Sequence, residues 1–140
     1  MSQQPKIRGI AESALYTNDL DATRRFFTDI LKLEPVLESD TLVAFDAGTA
    51  QVLLVFLRGP CRDDKPLPGG TIPGHQGDGP AHMAFHVSMH DYDAWKAAFA
   101  AQGIAILSEV DFAGGGRSLY FHDPAGNVLE LATPGHWRNF

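Results

Sequence analysis

Apolar and polar residues alternate along the chain in two rhythms, one suited to strands and one to helices. Ile10–Thr17 (IAESALYT) is rich in apolar and β-forming residues and predicts a strand. Asn18–Asp19 then offers an N-cap, and Asp21–Leu33 carries Ala22, Phe26, Phe27, Ile30 and Leu33 at helical spacing. Arg24, Arg25, Thr28, Asp29 and Lys32 fall mostly outside that stripe, and Pro35 ends the helix. Three short apolar segments follow, Val36–Ser39, Leu42–Asp46 and Gln51–Leu57, separated by Asp40 and by Ala47–Ala50. They predict a three-stranded meander.

Arg58–Pro80 breaks the pattern. Its 23 residues include six glycines and five prolines and no periodic apolar positions, so a structureless connector or functional loop is expected. Beyond it the order repeats. Ala81–Ser88 (AHMAFHVS) predicts a strand, and Asp91 is expected to cap a helix running to about Gln102, with Tyr92, Trp95, Ala98 and Phe99 as its stripe. Gly103 stands where a left-handed residue is wanted. Strands are then expected at Ile104–Val110, Ser118–His122 and Val128–Thr133, interrupted by Gly114–Gly116 and by an Asp123–Gly126 turn.

Both halves thus read strand, helix, strand, strand, strand. A shift of 70 positions lays Glu12–Thr17 on His82–Val87, and the final strands also superpose, with Gln51–Val55 on Asn127–Leu131 at a shift of 76. Matching at both ends in the right order points to duplication. The expected organisation is a single domain over 1–140, with a first module at about 10–57, the connector 58–80, a second module at about 81–133 and an apolar tail 134–140. Trp137 and Phe140 in that tail would pack on the domain or on a partner.

Composition narrows the function. With 44% hydrophobic and 20% charged residues the chain is an ordinary globular one. A net charge of -6 argues against nucleic-acid or anionic-membrane partners, both of which need a basic footprint. The longest apolar run, Val52–Leu57, is far too short for a membrane span. One cysteine, Cys61, permits no internal disulfide, and MSQQPKIRGIAES lacks an apolar core for a signal peptide, so a cytoplasmic location is expected. Gly74–Gly79 (GHQGDG) is no phosphate loop, since a strand follows it.

The polar residues inside the strands carry the candidate chemistry. Glu12 and His82 hold the same place in the two first strands, and Glu130 interrupts the last strand where its counterpart, Leu54, is apolar. Taken singly, each has an ordinary reading: a solvent-facing glutamate, a hydrogen-bonded histidine, a carboxylate paired with an arginine. Taken together, two carboxylates and one imidazole make three ligands with open positions left for water or substrate. That pattern suits a catalytic rather than a closed structural metal site. By alternation Tyr16 shares the face of Glu12, and His86 shares the face of His82. His86 is a candidate general acid or base, because histidine titrates closest to neutrality, or else a packed strand residue. Arg117, after three glycines, is either an anion-binding residue over the site or a solvated loop end. His75, His90, His122 and His136 lack ligand spacing.

Three segments resemble the vicinal oxygen chelate superfamily, which includes glyoxalases, bleomycin-resistance proteins, fosfomycin-resistance enzymes and extradiol dioxygenases. ESALYTNDLDATRRFFTDILKLEP resembles its opening, with Glu12 in the place of the first metal ligand. PAHMAFHV resembles its second ligand strand, with His82 in the ligand place, and GRSLYFHDPAGNVLELATP resembles the DPxGNxxEL signature, with Glu130 on the ligand glutamate. The resemblance covers residues 10–134. It implies an α+β fold of two paired βαβββ modules forming a curled mixed sheet around a cavity, usually in a homodimer, with the cavity built within one chain or across two.

Two departures are informative. The extradiol dioxygenases use two histidines and one carboxylate, whereas this chain offers Glu, His, Glu. Two anionic ligands suit a divalent ion (Mn, Fe, Ni, Zn, Co or Mg) acting as a Lewis acid, and oxygen activation less well. Fosfomycin enzymes usually carry a threonine two residues after the first ligand, where this chain has Ala14, although Tyr120 resembles their substrate-contacting tyrosine. The expected function is a metal-dependent isomerase, lyase or transferase acting on a small oxygen-chelating substrate. His86 and Tyr120 are the catalytic candidates, and Tyr16 and Arg117 the substrate-binding ones. The alternatives are a non-catalytic drug- or metabolite-binding protein and a ring-cleaving dioxygenase.

Overall fold

The computed structural model describes residues 3–140. The first module opens with β1 (Glu12–Thr17) and α1 (Leu20–Arg25), and closes with β2 (Pro35–Glu38), β3 (Leu42–Asp46) and β4 (Val52–Leu57). Asp19 caps α1, its Oδ1 accepting the Ala22 amide at 3.0 Å. The expected single helix over Asp21–Leu33 is instead a short α-helix followed by a π-helical turn, Phe26–Ile30. Wider spacing there turns the adjacent Phe26 and Phe27 both inward, which a regular helix would set about 100° apart.

The connector is not structureless. A 3-10 turn at Pro60–Arg62 precedes a small hairpin, β5 (Lys65–Leu67) and β6 (Gly70–Ile72). Strands of three residues flanked by proline carry too little periodicity to be read from sequence. The segment is tied to itself, with Arg58 Nε donating to Gly77 O at 3.1 Å and the Gly74 amide to Asp64 Oδ1 at 2.8 Å, and to the first module, where the Tyr16 hydroxyl bonds His75 Nδ1. A side chain at Gly74 would collide with the Arg62 carbonyl, at 1.9 Å from the Cβ position.

The second module comprises β7 (His82–His86), α2 (Met89–Ala101), β8 (Ser108–Asp111), β9 (Arg117–His122) and β10 (Val128–Ala132). Ser88, not Asp91, caps α2, since Asp91 supplies the amide that donates to Ser88 Oγ at 3.0 Å. Ile104 and Ile106, expected in a strand, pack on the core from the extended segment before β8.

Each module forms a four-stranded mixed sheet, in the orders β1-β4-β3-β2 and β7-β10-β9-β8. In both, the first strand lies parallel to the last, with Glu12 opposite Val52 and His82 opposite Val128. The internal repeat is therefore preserved residue for residue in the pairing. Leu15, Leu53 and Val55 of one sheet and Leu119, Phe121, Leu129 and Leu131 of the other share a single core with the helices. Phe26 meets Phe121 and Phe27 meets Phe85 across the modules, at centroid separations of 6.2 and 6.3 Å. The opposite faces, which carry Glu12, Ala14 and Tyr16 or His82, Ala84 and His86, are left open. Among the described residues no helix is long and apolar enough to cross a membrane.

A core shared in this way should melt as one unit. Phe121→Ala, at a fully buried site touching aromatic rings of both modules, should cost about 3–5 kcal/mol and lower the urea midpoint while leaving a single transition. Two resolved transitions would show that the modules fold independently.

Candidate metal centre on the open sheet faces

The second module's open face is organised by the turn between β9 and β10. Asp123 and Asn127 are both buried. Asp123 Oδ1 accepts the amides of Ala125 and Asn127 at 3.1 and 2.8 Å, and Asn127 Nδ2 donates to Asp123 Oδ2 at 2.8 Å. Asn127 Oδ1 in turn accepts the Ala81 amide at 2.9 Å, fastening the start of β7 to the start of β10. The Asp-Pro-x-Gly-Asn motif is thus a clamp that sets which residue of β7 lies beside Val128. That residue is His82.

His82 Nδ1 lies 2.8 Å from the Val128 carbonyl oxygen. A carbonyl can only accept, so Nδ1 carries a proton, and in the neutral imidazole Nε2 presents a lone pair. Nε2 faces Glu130 Oε1 at 3.3 Å. Two acceptors so placed repel each other unless a cation, a proton or a metal ion, lies between them. Glu130 is largely buried, and its other oxygen, Oε2, accepts the hydroxyl of buried Ser118. One carboxylate oxygen is therefore anchored and the other aimed at the imidazole. This is how a supporting shell orients metal ligands.

Tyr120 pairs with Glu130 across β9 and β10, and its ring stacks at 6.2 Å from that of His82. Partial burial, then the neighbouring Glu130 carboxylate, hold its phenol above the ordinary value, so it remains a proton donor at neutral pH. His86 lies on the same face and packs edge-on against Phe140 at 4.2 Å. His82, His86, Tyr120 and Glu130 all line one cavity of about 570 Å³.

The other candidates lie elsewhere. Glu12 is exposed on the first module's open face, bordering a second cavity of about 440 Å³ walled by Leu54, Phe56 and the connector. Glu12 and His82 also border a cleft between the modules. Even so, among the described residues of one chain no three metal-ligating side chains converge. Tyr16 shares Glu12's face, as alternation predicts, but its hydroxyl bonds His75 Nδ1 at 2.8 Å and Gly77 of the connector lies against its ring.

Arg117 is not brought to the cavity. It points to the helix side of β9, because strand alternation puts it opposite Ser118 and Tyr120. Its guanidinium lies 4.3 Å from the Tyr92 ring centroid and pairs with Asp111 at 3.0 Å, Asp93 at 3.7 Å and Glu109 at 3.8 Å. Burial, then a hydrogen bond to Glu109, pushes the Tyr92 phenol well above its ordinary value. Ser118 is the site residue that sequence reasoning missed. Its signal was two-residue spacing from Tyr120 on a strand antiparallel to that of Glu130.

The chain belongs to the Glyoxalase/Bleomycin resistance protein/Dioxygenase superfamily, whose family model matches residues 9–131. It is similar to a solved structure described as a lactoylglutathione lyase from Agrobacterium tumefaciens, at 33% identity and a TM-score of 0.87, covering 96% of this chain and 99% of that one. It is also 26% identical over 128 residues to a metallothiol transferase FosB of Staphylococcus saprophyticus, which covers 91% of this chain and 78% of the relative. A fosfomycin resistance protein FosX from Mesorhizobium loti shares the fold at a TM-score of 0.63 and 19% identity, covering 91% of this chain and 93% of that one.

Two variants check these placements. Asn127→Ala strands the Ala81 amide and one Asp123 oxygen, and should cost about 1–3 kcal/mol in denaturant unfolding. Arg117→Met should lower the thermal midpoint but leave binding in the His82–Glu130 cavity unaltered. Loss of binding there would return Arg117 to the site.

Proposed function

We propose that this protein is a metal-dependent enzyme in which Glu12, His82 and Glu130 hold a divalent cation that a small substrate chelates through two adjacent oxygens. The observation that carries the reading is the facing pair of acceptors, His82 Nε2 and Glu130 Oε1, each fixed from behind by a hydrogen bond. A closed structural site would have four protein ligands, whereas this set leaves positions for substrate. A divalent ion here would act as a Lewis acid, stabilising negative charge on a substrate oxygen.

This chain's own side chains supply the rest. Tyr120, held protonated beside Glu130, donates a hydrogen bond to substrate oxygen. His86, exposed on the same face, takes a proton from substrate or returns one. The Lewis-acid reading is preferred over a ring-cleaving dioxygenase because two of the three ligands are carboxylates.

Glu12 comes to the site from a second copy. It lies on the open face of the first module, away from Glu130, and both β1 and β7 are edge strands of their sheets. Pairing the first module of one copy with the second module of another covers both open faces and those edges, and builds two equivalent sites in a homodimer.

Titration calorimetry with manganese(II), nickel(II) and zinc(II) tests the site. His82→Ala, Glu12→Gln and Glu130→Gln should each keep a native circular dichroism spectrum while affinity falls at least about tenfold, with Ser118→Ala falling about 10–100-fold. His90→Ala should change neither. No metal uptake by the parent protein would favour a non-catalytic binding protein instead. Mixing tests the shared site. Subunits of Glu12→Gln and Glu130→Gln, exchanged one to one, should regain roughly a quarter of the parent sites, because half the dimers are mixed and each holds one intact site. No recovery after verified exchange would place all three ligands in one chain.

A further inference from the structure

The cavity beside His82 and Glu130 has walls of one chemical kind. Among the described residues no lysine or arginine lines it, and Glu130 is its one acidic side chain. Of the basic residues closest in sequence, Arg138 is exposed in the tail beside Trp137 and is not among the lining residues, and Arg117 is turned to the far side of β9 and occupied by three carboxylates. In place of cations the cavity has Phe112, His136, Trp137 and Phe140, with His86 and Tyr120 on the sheet beneath.

Those rings are held in place. The Arg117 amide donates to Thr133 Oγ1 at 2.7 Å where β10 ends. Gly116 and Gly135 then let two backbones approach so closely that a Cβ on Gly135 would lie 2.9 Å from the Gly116 nitrogen. Beyond that contact the tail folds back on itself, the Gly135 amide donating to Phe140 O at 3.0 Å and the Phe140 amide to Trp137 O at 3.2 Å. His136 stacks on Phe112 at 3.8 Å and touches Trp137 at 4.6 Å, while Phe140 reaches His86. Trp137 nonetheless remains 64% exposed. In the single chain this large apolar ring lies open at the mouth of the cavity, and in the homodimer proposed above it faces the space between the modules of the two copies, where a ligand can cover it.

We infer that Phe112 and the C-terminal tail form an aryl subsite next to the His82–Glu130 pair, so that the substrate carries an uncharged aromatic ring adjoining its chelating oxygens. This rests on the metal reading above and gives that site a substrate class. A phosphonate or other multiply charged substrate would find no cationic side chain among the residues that this chain contributes to the cavity, a cost that aromatic walls do not offset.

Two chelators that differ only in the group beside the same oxygen pair, benzohydroxamic and acetohydroxamic acid, separate the contributions. With the cobalt(II)-loaded protein, binding is read from the cobalt absorption spectrum and from Trp137 fluorescence. Benzohydroxamate should bind at least about tenfold more tightly than acetohydroxamate, relative to their ratio for cobalt(II) free in solution. Phe140→Ala and Trp137→Ala should each bring the preference back toward the free-ion ratio while leaving cobalt affinity unchanged. Phe112→Ala, remote from the tail in sequence, should do the same should a tail variant disturb folding. Methylphosphonate should displace neither ligand at millimolar concentration. Cobalt uptake with no aryl preference, a preference that survives all three variants, or displacement by micromolar methylphosphonate would each overturn the subsite and leave the metal reading standing. No cobalt uptake by the parent would overturn both.

Discussion

The hydrogen bonds between Asp123 and Asn127 are the constraint on which the site depends. A parallel strand pair has no hairpin to fix its register, so β7 and β10 could slip past one another. A slip of one residue would send His82 to the core side and Met83 to the open face. The clamp prevents this from the loop, by joining the Asp123 carboxylate, the Asn127 side chain and the Ala81 amide. Because it sits at the end of the sheet, it fixes the register without occupying the face that carries the candidate ligands. Both groups are nearly inaccessible to water, where an unmet hydrogen bond is costly and a completed network is correspondingly specific.

The duplicated modules put different chemistry on one backbone plan. Glu12 and His82 occupy equivalent pairing positions, opposite Val52 and Val128. Leu54 and Glu130 are equivalent too, yet one is apolar and the other a buried carboxylate. The difference is supported by its surroundings. Glu130 has Ser118 to hold one oxygen and His82 before the other, whereas Leu54 contributes to the apolar wall of the first module's cavity. A carboxylate at Leu54 would have neither partner, so the second anionic group is placed on β1, where Glu12 remains exposed to solvent.

Much of this was legible in the sequence, for physical reasons. Every strand of the two sheets was anticipated within a few residues, because the inner strands bury one face and alternation reports that directly, while the exposed edge strands β2 and β8 are marked by the turns beside them. Glu12, His82 and Glu130 stood out as polar residues in apolar strands, and the turn motif marked the start of β10. What escaped notice depends on contacts between segments distant in sequence. The connector's hairpin is flanked by the bond of Asp64 to the Gly74 amide, and the chain beyond it is held by Arg58, contacts that leave no periodicity in the sequence. The π-helical turn follows from the core's demand for two adjacent phenylalanines. Arg117 looked available because it follows three glycines, but the parity of β9 turns it toward Asp111 and Tyr92. Ser118 was passed over because its role appears only once β9 is placed beside Glu130.

The two faces of each sheet also divide stability from chemistry. The inward faces meet the helices and one another in a core that crosses the modules, so a change there is felt by the whole chain. The outward faces carry small or polar residues, Ala14, Ala84, Tyr120 and the candidate ligands, whose replacement removes little of that packing. Substitutions on the open face can therefore alter what is bound without unfolding what binds it. The connector and the C-terminal tail extend the same division. Each is anchored by backbone contacts at glycine and leaves its variable side chains over an open face. A change of ring or charge in those segments redraws the cavity wall, whereas the candidate ligands beneath stay fixed by strand pairing.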